Sequence, residues 1–293
     1  GIDDQRRLGD DPQVRIGAVP EEDARIGPLL DAILELLTKY MALPVEYAHT
    51  VALWIAMTHV FQHCGYAARL RLRSAVYRSG KSRLLELIAP LVPNGRITTH
   101  VTQSVFRQLD GVLLLDEMDM WYHPEKHGEL TAMLNDGYRA GATITVNVKG
   151  PDGTWVPEEF SVYRPVAFAA NESAHIPAPL ADRCLTLLLR RKGVSEATAR
   201  LKGRKYALEA APLYDRLAAW GQRNGDRIAA LLDAAEDEYV MPLDGNDRAV
   251  DIWEPLAVIA ELAGGPWPQQ CRNAARLLAQ EAAQLSTSAD GPA

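Results

Sequence analysis

Apolar positions three and four apart open the patterned part of the chain. Leu29, Ile33, Leu36, Leu37 and Tyr40 fall on one face of a predicted helix over 28–40, with Pro28 in the first turn, where a missing N–H costs nothing. Pro44 breaks the run, and a second helix is predicted over 45–63 around Val51, Leu53, Trp54, Ile55 and Met57. Then the period changes. Arginine and leucine alternate from Arg69 to Arg73, the period of a strand over 69–74. A turn follows at Ser79-Gly80-Lys81-Ser82. Leu84, Leu85, Leu87, Ile88 and Leu91 restore helical spacing until Pro93-Asn94-Gly95 ends it.

Beyond that point the pattern predicts a weak strand over 97–101 and a short helix over 102–109. The unbroken apolar run Val112-Leu113-Leu114-Leu115 fits a strand buried on both faces of a parallel sheet. A helix is predicted over 125–140. Two β-type runs, 143–148 and 154–163, are joined by Lys149-Gly150-Pro151-Asp152-Gly153, a hairpin signal. A buried strand over 166–170 ends at Asn171, a helical turn spans 179–183, and a last strand spans 184–189. After Lys192 only helical patterns remain: 205–222, 226–237, 247–263 and 268–285.

This order predicts an α/β protein with a parallel-sheet core. Its parts are a linker or arm (1–27), an N-terminal helical pair (28–66), a phosphate-loop core (67–194), a C-terminal helical lid (195–285) and a frayed tail (286–293). The 293 residues, 47% hydrophobic and 24% charged, suit a globular protein with a sizeable core. A net charge of −7 excludes a wholly basic nucleic-acid coat and leaves room for a local basic groove. Cys64, Cys184 and Cys271 are scattered and lack CxxC spacing, which points to buried thiols in a reduced, cytoplasmic setting. No apolar run reaches the roughly 18 residues of a membrane helix, so no membrane partner is expected. His59 and His63 stand four apart but lack a third metal ligand, so they read as core or surface histidines.

The candidate chemistry begins at Ser79, Gly80, Lys81, Ser82 and Arg83. A strand, a turn of backbone N–H groups and a helix start suit a polyphosphate. Lys81 would reach the β- and γ-phosphates of ATP, and Ser82 would ligate Mg²⁺. The full motif G-x-x-x-x-G-K-[ST] has Ala75 in place of its first glycine, followed by Val76 and Tyr77. About 35 residues after Lys81, the apolar strand ends in Asp116-Glu117. Asp116 would hold the Mg²⁺ shell, and Glu117 would polarise the attacking water. Asn171, at another strand end, would orient that water, or is a turn residue. Arg183 would reach a neighbouring subunit's nucleotide, or forms a surface ion pair. Arg183, Arg190, Arg191, Lys192, Arg200, Lys202, Arg204 and Lys205 form a basic tract against Glu196, either a phosphate-contacting surface or a solvated linker. Arg69, Arg71, Arg73 and Arg78 fit either subunit or phosphate contact.

Phosphate loop, weak strand, Asp-Glu strand, Asn strand, arginine, last strand and helical lid, in that order, resemble the AAA+ ATPases. The resemblance implies that Asn171 is sensor 1, Arg183 a trans-acting arginine finger and Arg248 a sensor 2 on a lid helix. It also implies a pore-lining hairpin, with Lys149 gripping single-stranded DNA and Trp155 stacking on a base. The alternative is an ordinary surface hairpin. A closer resemblance, over about 28–285, is to a bacterial and phage family of unassigned function. It rests on Ala52-Leu53-Trp54-Ile55, Thr58-His59, Leu114-Leu115-Asp116-Glu117, Leu180-Ala181-Asp182-Arg183, the run from Asp247 to Leu256, and Ala260 to Gly265 with Trp267-Pro268. That family occurs in primase–helicase-like proteins of mobile elements, often behind a primase-polymerase module. The resemblance implies a ring-forming homo-oligomer, a hexamer, that hydrolyses ATP with Mg²⁺ to drive a DNA helicase in phage or mobile-element replication. The alternative function is an ATP-gated assembly scaffold or regulator without unwinding activity.

Overall fold

In the computed structural model, which describes residues 25–234, 243 and 247–289, the strands are β1 (Arg69–Ser74), β2 (Arg96–Thr98), β3 (Leu113–Leu115), β4 (Thr143–Lys149), β5 (Trp155–Ser161), β6 (Val166–Asn171) and β7 (Cys184–Leu188). Five of them form a parallel sheet in the order β2-β3-β6-β1-β7; β4 and β5 pair only with each other, antiparallel. The position of β6 matters most. It lies between β1 and β3, with Ser74 opposite Asn171 and Leu115 opposite Phe168. The turn after β1, Asn171 and the acid pair after β3 therefore open on one edge of the sheet.

The helices are α1 (Ile26–Tyr40), α2 (Val45–Thr58), α3 (Lys81–Ile88), α4 (Gln103–Gln108), α5 (Met118–Trp121), α6 (Gly128–Asp136), α7 (Ala178–Ala181), α8 (Gly203–Ala234), α9 (Asp247–Ala263) and α10 (Trp267–Ala289). Strand side chains alternate between two cores. Leu70, Leu72, Leu114, Ala167, Ala169, Leu185 and Leu187 join a large core with α1, α2, α3, α8, α9 and α10. Leu113, Leu115, Val166, Phe168 and Ala170 join a smaller core with residues of α4, α5, α6 and α7. The N-terminal pair and the C-terminal helices thus share one core. Trp54 fixes α2 to the sheet's entry by donating its indole N–H to the Ala68 carbonyl at 2.7 Å.

Several predicted boundaries move. Ile26 and Gly27, read as part of the arm, belong to α1, while residues 1–24 lie outside the described residues. The second helix ends at Thr58, and a separate 3₁₀ turn spans Phe61–His63. The helix expected over 125–140 is shorter because Gly137 closes it on the Met133 carbonyl, against the Val162 backbone. The helices expected over 205–222 and 226–237 are one, α8, of 32 residues. Its mid-helix glycine marks a close approach: a Cβ on Gly221 would stand 2.5 Å from the His59 carbonyl oxygen. α10 runs on to Ala289, into the stretch read as tail.

Arg69 finds a structural role. It is fully buried, and its guanidinium donates to the carbonyls of Leu134 (2.6 Å), Arg164 (3.4 Å) and Met133 (3.5 Å), closing the end of α6. Burial pulls it down to about 10. Arg73 stands 3.7 Å from Glu172. The three cysteines are free thiols, pushed up to about 12 by burial. Among the described residues, no helix is long and apolar enough to cross a membrane.

Candidate nucleotide site

The site is built from three strand ends. β1 ends at Ser74, whose hydroxyl donates to the Val76 carbonyl at 2.8 Å and starts the loop. The loop ends at Gly80, with φ +90°, a conformation side-chain-bearing residues rarely adopt. A Cβ there would also stand 2.9 Å from the Met41 methyl group. α3 begins at the next residue, so the N–H groups of Lys81, Ser82 and Arg83, which have no partner within the helix, line a cavity of about 520 Å³. Ser79 lies in the same loop; its hydroxyl is buried without a hydrogen-bond partner. That is a fit for a ligand oxygen.

Lys81 reaches back across the loop. Its Nζ donates to Ser74 Oγ at 2.7 Å and to Asn171 Oδ1 at 2.5 Å. Burial lowers its pKa, and the nearby Asp119 and Asp116 carboxylates oppose that shift. On the facing wall, Asp116 Oδ1 accepts the Glu117 N–H at 2.9 Å. Glu117 is exposed and holds the left-handed conformation at φ +51°. Strain of this kind in a residue with a side chain concentrates at working sites. Asp116 and Ser82, a carboxylate and a hydroxyl bordering the same cavity, are the hard oxygen donors that suit Mg²⁺.

Asp119 was not singled out in the sequence. It lines the cavity from α5 and accepts two hydrogen bonds from Asn171: from the backbone N–H at 3.1 Å and from Nδ2 at 2.8 Å. The available signal was a third acid within four residues of the strand end, in Asp116-Glu117-Met118-Asp119.

The basic tract is partly a strap folded over the loop between β1 and α3. Arg191 donates to the Tyr77 carbonyl at 2.8 Å, Arg190 pairs with Glu196 at 2.5 Å, and Lys192 donates to Thr198 at 3.0 Å. Arg190 and Lys192 line the cavity.

The other candidates lie elsewhere. Arg183 precedes β7 at the N-terminal edge of the sheet, where its carbonyl accepts the Arg69 N–H at 3.4 Å. The length of β1, about 3.3 Å per residue, separates it from the phosphate loop of its own chain. Its guanidinium donates to the Pro179 carbonyl and lies 5.0 Å from the centre of the Tyr138 ring. Arg248, expected at the nucleotide, is not brought to the cavity. It pairs with Asp182 at 3.5 Å, beside Arg183, because α9 starts at that edge. Lys149 and Trp155 face each other across the hairpin, and Trp155 is 67% exposed. His59 bonds the Leu91 carbonyl at 2.8 Å, and His63 stands 3.5 Å from Asp226; among the described residues no group of three metal-ligating side chains gathers.

A family described as protein of unknown function (DUF3631) matches residues 188–290. The match spans the strap and the three C-terminal helices and stops short of the phosphate loop and the acid pair, whereas the resemblance was expected from about residue 28. An uncharacterized 28.9 kDa protein in the xis 5′ region of Saccharopolyspora erythraea is 41% identical over 95 residues, 32% of this chain and 33% of that protein. The chain thus spans about a third of the length of this curated relative. Among solved structures, a full-length MCM homolog from Methanopyrus kandleri aligns with a TM-score of 0.46 at 17% identity, covering 93% of this chain and 62% of that one. The JCV helicase aligns with a TM-score of 0.36 at 13% identity, covering 74% and 65%.

Proposed function

We propose that the chain is the ATP-hydrolysing core of a DNA helicase or translocase that works as a homo-oligomer. The observation that carries this reading is the convergence of the phosphate loop, Asp116-Glu117 and Asn171 on one cavity, from three adjacent strands. The polyphosphate lies along the loop, against the N–H groups of Ser79 to Arg83. Lys81 exchanges Ser74 and Asn171 for phosphate oxygens. Ser82 and Asp116 would hold a Mg²⁺, which would supply charge neutralisation at the phosphates. Glu117 takes a proton from the attacking water, and Asn171 orients that water. A neighbouring copy brings Arg183, with Arg248 beside it, to the transferred phosphoryl group. The exposed pair Lys149 and Trp155 offers a cation to a phosphate and a ring to a base of single-stranded DNA. A mobile-element setting, and coupling to a primase-polymerase module, rest on the resemblance. The relative from a xis 5′ region agrees with the first.

The test is turnover. With Mg²⁺ and single-stranded DNA the protein hydrolyses ATP, and Lys81→Ala lowers the rate by about 100-fold or more. Turnover indifferent to Lys81→Ala would sink the reading. One observation favours the scaffold alternative: Lys81 is already satisfied inside the chain, under a loop strapped down by Arg191. Strand displacement separates the two readings, since an ATP-gated scaffold assembles with ATP and displaces nothing.

A further inference from the structure

Asn171 sits between two partners of opposite character. A carboxamide offers one acceptor oxygen and one donor nitrogen, a lysine ammonium only donors, and an ionised carboxylate only acceptors. The amide therefore fits between Lys81 and Asp119 in one orientation. Oδ1 faces Lys81 Nζ at 2.5 Å, and Nδ2 faces Asp119 Oδ2 at 2.8 Å. The other oxygen of Asp119 accepts the Asn171 backbone N–H at 3.1 Å, so the carboxylate grips the residue at two points. Asp119 is in the short helix that directly follows the acid pair. The grip consequently ties the acidic end of β3 to the end of β6, and through Lys81 to the phosphate loop.

We propose that Asp119 is a positioning residue, which through Asn171 sets where the Lys81 ammonium rests and which edge of the Asn171 amide faces the cavity. A phosphate oxygen that takes Lys81 removes the bond on Oδ1 and leaves Asn171 held by Asp119 alone. Asn171 then registers whether Lys81 is on phosphate, and Asp119 keeps it in place while it does. Without Asp119 the amide keeps a single side-chain tether. This deepens the ATP-site reading and rests on it, but the grip can be tested without turnover.

The experiment is pulse labelling of Lys81 with acetic anhydride in the full chain, followed by peptide mass spectrometry. Wild type, Asp119→Ala, Asn171→Ala and the double variant are compared, with Asp119→Asn, which keeps the size, replacing any alanine variant that fails to fold. Lys81 is expected to label about 3- to 10-fold faster in each single variant and no faster in the double, since residues acting through one another are non-additive. Effects that multiply in the double variant would mean that Asp119 acts on Lys81 directly, and would overturn the relay. An unchanged rate in Asp119→Ala would do the same. Asp119→Glu keeps the charge and shifts the carboxylate by one methylene. The grip predicts that it labels like alanine, and a wild-type rate would overturn it. In turnover, Asp119→Ala is expected to lower kcat about 10-fold with the Kd for Mg²⁺·ATP within about threefold. A parallel rise in Kd would overturn the positioning role. A chain with no Lys81-dependent turnover removes the ATPase reading and leaves the labelling result to judge the grip.

Discussion

The two ends of the same five strands are built on different principles. At the C-terminal end, Lys81 and Asp119 link Ser74 and Asn171, from two adjacent strands, into a network that borders an open cavity, and Asp116 lines the same cavity from the end of a third. At the N-terminal end, several polar side chains bond backbone carbonyls. Arg69 takes three, Arg183 takes that of Pro179, and His59 takes that of Leu91. Helices close over that end at backbone contact, with Gly221 of α8 against His59. One end is arranged to exchange partners, and the other to hold still. The two arginines at the still end, Arg183 and Arg248, do not line the cavity; under the proposed function a second copy brings a phosphate to them.

The sharpest way to break this contrast is Arg183→Ala. If the N-terminal end serves a neighbour's site, turnover falls about 1,000-fold or more, the range of an arginine supplied in trans, while the Kd for ATP stays within a few-fold. Mixing Arg183→Ala with Lys81→Ala protein should restore part of the rate, because some sites then combine an intact Lys81 with an intact Arg183. Mixtures that stay as slow as either variant would return Arg183 to a purely structural role on Tyr138.

How much of each end was legible in the sequence follows from the same contrast. The loop before Lys81 and Asp116-Glu117 stood out in the sequence because each is a short run recognisable from its neighbours alone, and the structure sets both on one cavity. β1 matched its predicted bounds, and the 247–263 helix matched too, since both alternate or repeat cleanly. Asp119 was not read, because its meaning lies in Asn171, 52 residues on. Arg248 was placed by family position, and the fold turned it toward Asp182 instead. The pattern broke α8 in two because helix spacing lapses around residues 223–225; packing against the end of α2 overrides that local signal.

Gly221→Ala tests the still end directly. Alanine favours a helix interior by up to about 1 kcal/mol, but here its Cβ would press on the His59 carbonyl, a backbone atom that cannot swing away. Overpacking of this kind costs about 1–3 kcal/mol, so a net loss of up to about 2 kcal/mol is expected in urea unfolding. The Kd for ATP should not move, because the cavity is at the other end. A stabilised variant would mean that α8 is not seated at backbone contact.

The smallest effect is in pH. His59 is half-buried beneath α8, beside the ring of Tyr214 at 5.5 Å, and desolvation lowers its pKa to about 4, against the opposing bond to the Leu91 carbonyl. A carbonyl can only accept, so the neutral ring must carry its proton on Nε2. Between the unfolded value near 6.5 and about 4, the unfolded chain binds a proton that the folded chain refuses. Stability therefore rises with pH through that window and is lost as pH falls. From pH 7 to pH 5 the loss attributable to His59 is on the order of 1–2 kcal/mol. His59→Gln keeps a donor for Leu91 and has no proton to gain, so its urea midpoint should fall less over the same range. A residual slope is expected, since burial also lowers His49. Equal slopes in the two proteins would show that His59 takes up its proton while folded, and that the N-terminal end gives way more easily than its packing implies.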